Sequence, residues 1–201
     1  MIRLKSRAAR EEGFTLIEMM MVVAILGILT GIAVVQLTTT RNMFKGDAAM
    51  RVVLSEMNQA REMAITQRRY MRIVFDTTAN TVSIVREDTT ATTTSLGTWM
   101  FEGGAKIQLT AGTGDTPDAF GNSSATAFTS SLGTFNSLTG QTTVAKFAPD
   151  GTLVDWNGNV TNGTIFTGIP NMGPSARAVT ILGSTGRVRG YRWDGMHWQL
   201  V

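Results

Sequence analysis

The sequence has no cysteine, a single histidine, four prolines and few charges. Without cysteine there is no disulfide framework and no thiolate metal site, whatever the redox compartment. His197 alone cannot build an imidazole metal centre, and no serine or carboxylate stands at a known catalytic spacing from it. A surface or packing role is expected for it. Asp155, Asn157 and Asn159 alternate like the start of a calcium loop, but Val160 and Phe166 occupy the positions where such a loop needs Gly and Glu. A hairpin turn is expected there instead. No phosphate loop, nucleophile elbow, zinc signature, dinucleotide fingerprint or enzyme-type carboxylate pair is present. These absences point away from an enzyme, and no cofactor or metal is expected. Charged residues make up 16% of the chain, and the net charge is +3. Residues 1–13 hold four basic and two acidic side chains, so the remaining 188 residues carry 14 against 13, a net +1. The pI of about 9.7 is therefore partly a property of that short stretch and does not describe a broad basic field.

What the chain does have is one long apolar run, Gly13 to Leu37. No charge occurs from Met19 to Thr40, a stretch of 22 residues. About 20 apolar residues rising 1.5 Å each cross a hydrocarbon core of roughly 30 Å. One carboxylate, Glu18, lies just inside the N-terminal edge, and a Gly-Phe step precedes the run. The four basic residues of the N-terminal stretch suit a cytoplasmic start. A secretory signal would place its cleavage site after a shorter run. Three regions follow: a removable leader at 1–13, a transmembrane helix at 14–40, and a head at 41–201 on the far side of the cytoplasmic membrane. Gly27 and Gly31 form a small-residue pair that serves either close helix packing or a flexible point.

Gly13-Phe14-Thr15-Leu16-Ile17-Glu18 resembles the processing site of type IV pilins and type II secretion pseudopilins. The resemblance implies that a prepilin peptidase cuts between Gly13 and Phe14 and methylates Phe14. It implies a single-pass protein of the bacterial inner membrane, whose other partners are membrane lipid and further pilin or pseudopilin subunits. Glu18 then becomes the fifth mature residue and pairs with the N-terminal amine of a neighbouring subunit. An ionised carboxylate in lipid costs several kcal/mol unless partnered, which makes Glu18 a functional candidate in its own right. The plainer reading is a side chain that snorkels at the interface beside Arg10.

The head reads as α+β: a long N-terminal helix packed on a C-terminal antiparallel sheet, the pilin-like arrangement. Met50, Val53, Leu54, Met57, Ala60 and Ala64 recur at helical spacing, with polar residues on the other face. The predicted helix runs over 41–68, with a bend or break at Gly46, and the sheet over 69–201. The methionines are core filler. Tyr70–Phe75 and Thr81–Val85 alternate as strands around a turn at Asp76–Asn80. Residues 88–95 read as loop. Trp99–Phe101, Lys106–Leu109, Thr143–Phe147, Arg177–Leu182 and Arg187–Trp193 read as strands. Residues 110–140 read as a long variable loop, and Asp194-Gly195 as a tight turn into a last strand.

Phe147-Ala148-Pro149-Asp150-Gly151 followed by Gly186-Arg187-Val188-Arg189 resembles the GspH/FimT group of minor pilins and pseudopilins. Arg177, Arg187, Arg189 and Arg192 cluster in sequence with Tyr191, Trp193 and Trp198. On a strand, Arg187, Arg189 and Tyr191 share one face and Arg192 takes the other. Two guanidiniums and a ring on one face suit phosphate contact and base stacking. In some FimT-like proteins a Gly-Arg-x-Arg stretch is linked to DNA capture in natural transformation, so the resemblance allows DNA as a partner. A solvated strand face or a subunit contact is the alternative.

Overall fold

The computed structural model describes residues 13–76, 78–89, 92–108, 117, 142–155 and 157–201. Residues 1–12 of the expected leader, Leu109 and all but one position of the 110–140 loop lie outside them.

The chain is α+β. Among the described residues one helix, α1 (Leu16–Gln67), precedes ten strands: β1 (Met71–Asp76), β2 (Thr81–Glu87), β3 (Thr93–Met100), β4 (Lys106–Gln108), β5 (Thr142–Phe147), β6 (Leu153–Val154), β7 (Gly163–Gly168), β8 (Arg177–Leu182), β9 (Arg187–Trp193) and β10 (Trp198–Leu200). Residues 1–39 and 40–201 form two separate compact units. Among the described residues of the first, Leu16–Val34 is long and apolar enough to cross a membrane. Every residue from Gly13 to Val34 is exposed.

The second unit holds two antiparallel five-stranded sheets, ordered β3-β2-β1-β5-β6 and β10-β9-β8-β7-β4. The single sheet expected from the sequence is thus divided. The core between the sheets and α1 is built from the helical stripe Ala49, Met50, Val53, Met57, Ala60 and Ala64. Alternate residues of the strands meet it: Met71, Ile73 and Phe75 of β1, Val82 and Ile84 of β2, Ile165 of β7, and Val179 and Ile181 of β8. Each large apolar side chain buried in this way contributes roughly 1.5–3 kcal/mol relative to exposure.

Local chemistry sets the turns. Asp76 Oδ1 accepts the N–H groups of Thr78 and Ala79, both at 2.8 Å, which fixes the β1–β2 hairpin in the register Asp76 opposite Thr81. The region read as a Thr-rich loop is in part a strand: from Thr93, β3 pairs along the edge of β2, where threonine and tryptophan suit a pleated surface. The last turn is longer than expected. Trp193 pairs with Trp198, so four residues connect β9 to β10, and Asp194 Oδ1 caps the N–H groups of Met196 and His197 at 2.8 and 2.6 Å.

α1 runs unbroken through Gly46. A Cβ there would lie 2.3 Å from the carbonyl oxygen of Ser175. The missing side chain lets the 3-10 turn Gly173–Ser175 approach the helix backbone.

Candidate functional site

Two places carry the chemistry read from the sequence: the start of α1 and the surface around β9. At the first, Gly13 and Phe14 precede the helix in non-helical backbone, and helix begins at Leu16, two residues later than expected. Phe14 is 77% exposed. Thr15 Oγ1 accepts the N–H of Glu18 at 3.3 Å, so Thr15 caps the helix and Glu18 stands at the third helical position. Thr-x-x-Glu is the capping-box spacing, a signal present in the sequence that fixes where the helix starts. Glu18 is thereby held in the first turn, where the unpaired N–H groups favour negative charge. Gly27 and Gly31 face open space.

At the second place the arginine cluster divides. Arg177 is wholly buried, at 0% exposure. Its Nε donates to Asp47 Oδ1 at 2.5 Å, and its other nitrogens donate to the carbonyls of Pro174 (3.0 Å), Ala176 (2.8 Å) and Met43 (3.2 Å). Arg192 reaches the same carboxylate, Nη2 to Asp47 Oδ2 at 2.9 Å. Arg177 and Arg192 stand opposite one another on β8 and β9, a like-charge pair that Asp47 neutralises. Burial pulls the Asp47 carboxyl upward, but its bonds and charge attraction to Arg177 and Arg192 more than reverse this, and its pKa falls below 3.8. These two arginines tie β8 and β9 to the helix, Arg177 from the interior and Arg192 from a partly exposed position. Asp47 went unread in the sequence, because a lone Asp on a polar helical face carries no signal for a partner 130 residues away.

Gly190 of β9 lies against Leu54 and Met50 of α1, so by strand alternation Arg187, Arg189 and Tyr191 take the face away from the helix. Arg187 is exposed and Arg189 half-buried. Tyr191 is only 6% exposed, packed with Phe166 and Ala178 and covered by Trp198. Trp198 in turn meets Trp193 edge-on at 5.4 Å between ring centroids. The ring expected to stack a base thus belongs to a small outer core, because β10 brings an indole over it.

The two halves of the C-terminal resemblance meet in space. A Cβ on Gly186 (φ +61°) would lie 2.0 Å from the carbonyl oxygen of Gly151, and Arg61 Nε donates to that same oxygen at 3.3 Å. Gly186 therefore serves close backbone approach, while Gly151 (φ +85°) leaves room for the Ile65 side chain. Asp155 Oδ1 accepts the N–H groups of Asn157 and Asn159, both at 2.8 Å, which makes the calcium-like stretch a side-chain-capped turn. Burial pulls Asp155 upward, yet these bonds hold its pKa below 3.8.

Residues 8–34 match the family model described as the prokaryotic N-terminal methylation motif. No curated protein matches the sequence. In structure the chain is similar to the type IV minor pilin FimU of Pseudomonas aeruginosa, 17% identical, over 75% of this chain and 90% of that one, with a TM-score of 0.45. It is also similar to the minor pseudopilin EpsH from the Type 2 Secretion System of Vibrio cholerae, 10% identical, over 74% of this chain and 97% of that one, with a TM-score of 0.48. The chain thus carries a prokaryotic N-terminal methylation motif at the start of an apolar helix that leads into an α+β head.

Proposed function

We propose that this protein is a minor subunit of a type II secretion pseudopilus or a type IV pilus. The observation that carries the reading is the methylation motif on residues 8–34, with Phe14 exposed ahead of the helix and Glu18 held in its first turn. Prepilin peptidase cuts Gly13 from Phe14 and methylates the new amine. The apolar helix holds the product in the inner membrane, with the head in the periplasm, until it joins a filament. There Glu18 pairs with the N-terminal amine of a neighbouring subunit. In lipid that pairing removes most of the cost of an isolated carboxylate, several kcal/mol. Glu18→Ala leaves cleavage intact and abolishes incorporation into filaments, read by immunoblot of sheared filament fractions. Normal incorporation of the variant contradicts the role given to Glu18.

A second reading, capture of DNA for uptake, is favoured by one observation: neither Arg187 nor Arg189 meets a carboxylate among the described residues. With Tyr191 covered, contact would rest on phosphate alone. A gel shift with the full-length protein in detergent separates the readings. Salt-sensitive binding lost in the Arg187→Gln, Arg189→Gln double variant supports DNA capture, and no binding at low salt rejects it.

A further inference from the structure

A cleft of about 390 Å³ opens beside the C-terminal end of α1, lined by Arg68, Arg69, Tyr70, Glu87, Asp88 and Lys146 among others. Its two carboxylates are already taken. Glu87 is bonded to Arg72 and lies 3.2 Å from Lys146. Asp88 is bonded to Arg86 at 2.6 Å and to the Thr94 hydroxyl. Lys146 also stands 4.1 Å over the Tyr70 ring. Arg69 donates to the main-chain carbonyl of Asp88 and attracts its carboxylate without forming an ion pair among the described residues. The Arg68 guanidinium is exposed and makes no hydrogen bond or ion pair among the described residues. The lining holds Arg68, Arg69 and Lys146 against Glu87 and Asp88, three cations against two anions, and Arg72 and Arg86, bonded to those carboxylates, add positive charge beside it.

The backbone adds an independent observation. Arg68 has φ +52°, and the N–H of Arg69 bonds to the carbonyl of Ala64 at 3.2 Å. This is the helix-closing arrangement whose left-handed position favours glycine. An arginine is held there against its backbone preference. Attraction to the helix C-terminus does not require this, because any position of the last turn would provide it and that turn has no basic residue.

We propose that the cleft binds an acidic peptide segment of a partner protein, with Arg68 and Arg69 taking its carboxylates. Guanidiniums match carboxylates as two-pronged donors. The observations favour a peptide over a nucleic acid. A phosphate backbone needs a continuous basic groove with free rings for stacking. Here two carboxylates interrupt the wall, and Lys146 covers the Tyr70 face. The cleft is separate from Glu18 and from the DNA reading of β9, and its test on the purified chain does not depend on filament assembly.

The test is fluorescence anisotropy of labelled hexaglutamate with the full-length protein in detergent micelles at low salt, with labelled hexathymidylate as the comparison. Arg68→Gly suits the left-handed backbone, so its melting temperature should equal or exceed the parent's while peptide binding weakens about tenfold or more. Arg69→Gln should weaken binding comparably without touching that position. The proposal is overturned if hexaglutamate does not bind, if neither substitution weakens it, or if hexathymidylate binds more tightly than the peptide.

Discussion

Asp47 sits between Arg177 and Arg192, and its removal tests how much of the head depends on one carboxylate. Arg177 has no exposure to water, so Asp47→Asn strands a buried charge. Breaking a buried pair in this way costs roughly 3–5 kcal/mol. We expect Asp47→Asn to lower stability by about 3 kcal/mol in denaturant titrations, and a loss below about 1 kcal/mol would contradict the buried-pair role. Glu56 is the opposite case. It is 5% exposed, its Oε2 is buried without a partner, and burial alone raises its pKa above 4.5. Its folded form prefers the proton, so its favourable contribution is present at low pH and is lost as pH rises from 4.5 through the raised value. Glu56→Gln should therefore raise stability at pH 7 by about 1 kcal/mol and change little at pH 4. Neither residue was legible in the sequence. Charge on a helical face reads as solvated until the fold supplies a partner or removes the water.

At the scale of elements, α1 was the most legible part of the chain. Its apolar stripe at 3.6 spacing names the residues that fill the core, although its start was placed two residues early because the Thr-x-x-Glu cap went unread. β1 and β2 were legible from period-two alternation, which their burial follows, and β5, β8 and β9 from the turn signals that bound them. β3 was legible only at its end, where Trp99 packs on the core, because Thr93–Leu96 are exposed on both faces and show no alternation. In sequence a glycine within a helix looks the same whether it relaxes the backbone or admits a neighbour, and Gly46 admits one. The two roles predict opposite signs. By propensity, Gly46→Ala would stabilise the helix by about 1 kcal/mol. With a backbone carbonyl 2.3 Å from the new Cβ, it should instead destabilise by about 1–3 kcal/mol, read as a lower melting temperature. An increase would show that the approach of Ser175 is not tight.

For the whole molecule, the acid limb of stability follows from Asp47. Its depressed pKa gives a contribution that is present above 3.8, the unfolded value, and lost as pH falls through the folded one. Melting temperature should drop steeply below about pH 4, and the drop should be shallower in Asp47→Asn. The overall architecture was legible because three independent signals agree: an uncharged run long enough to span a bilayer, an amphipathic continuation, and a switch to period two. The partition into two sheets was not, since strand order depends on pairings remote in sequence, such as β1 with β5 and β4 with β7. The surface chemistry was legible by residue type and not by placement: of the arginines and aromatics near the C-terminus, Arg177 and Arg192 are bound to Asp47 and Tyr191 is covered. The central claim is that the N-terminal segment is a processed pilin start. Its most direct test is the intact mass and N-terminal sequence of the protein recovered from membranes of cells with an active prepilin peptidase. The expected chain begins at N-methylated Phe14 and lacks residues 1–13, whereas a chain that still begins at Met1 would contradict the claim.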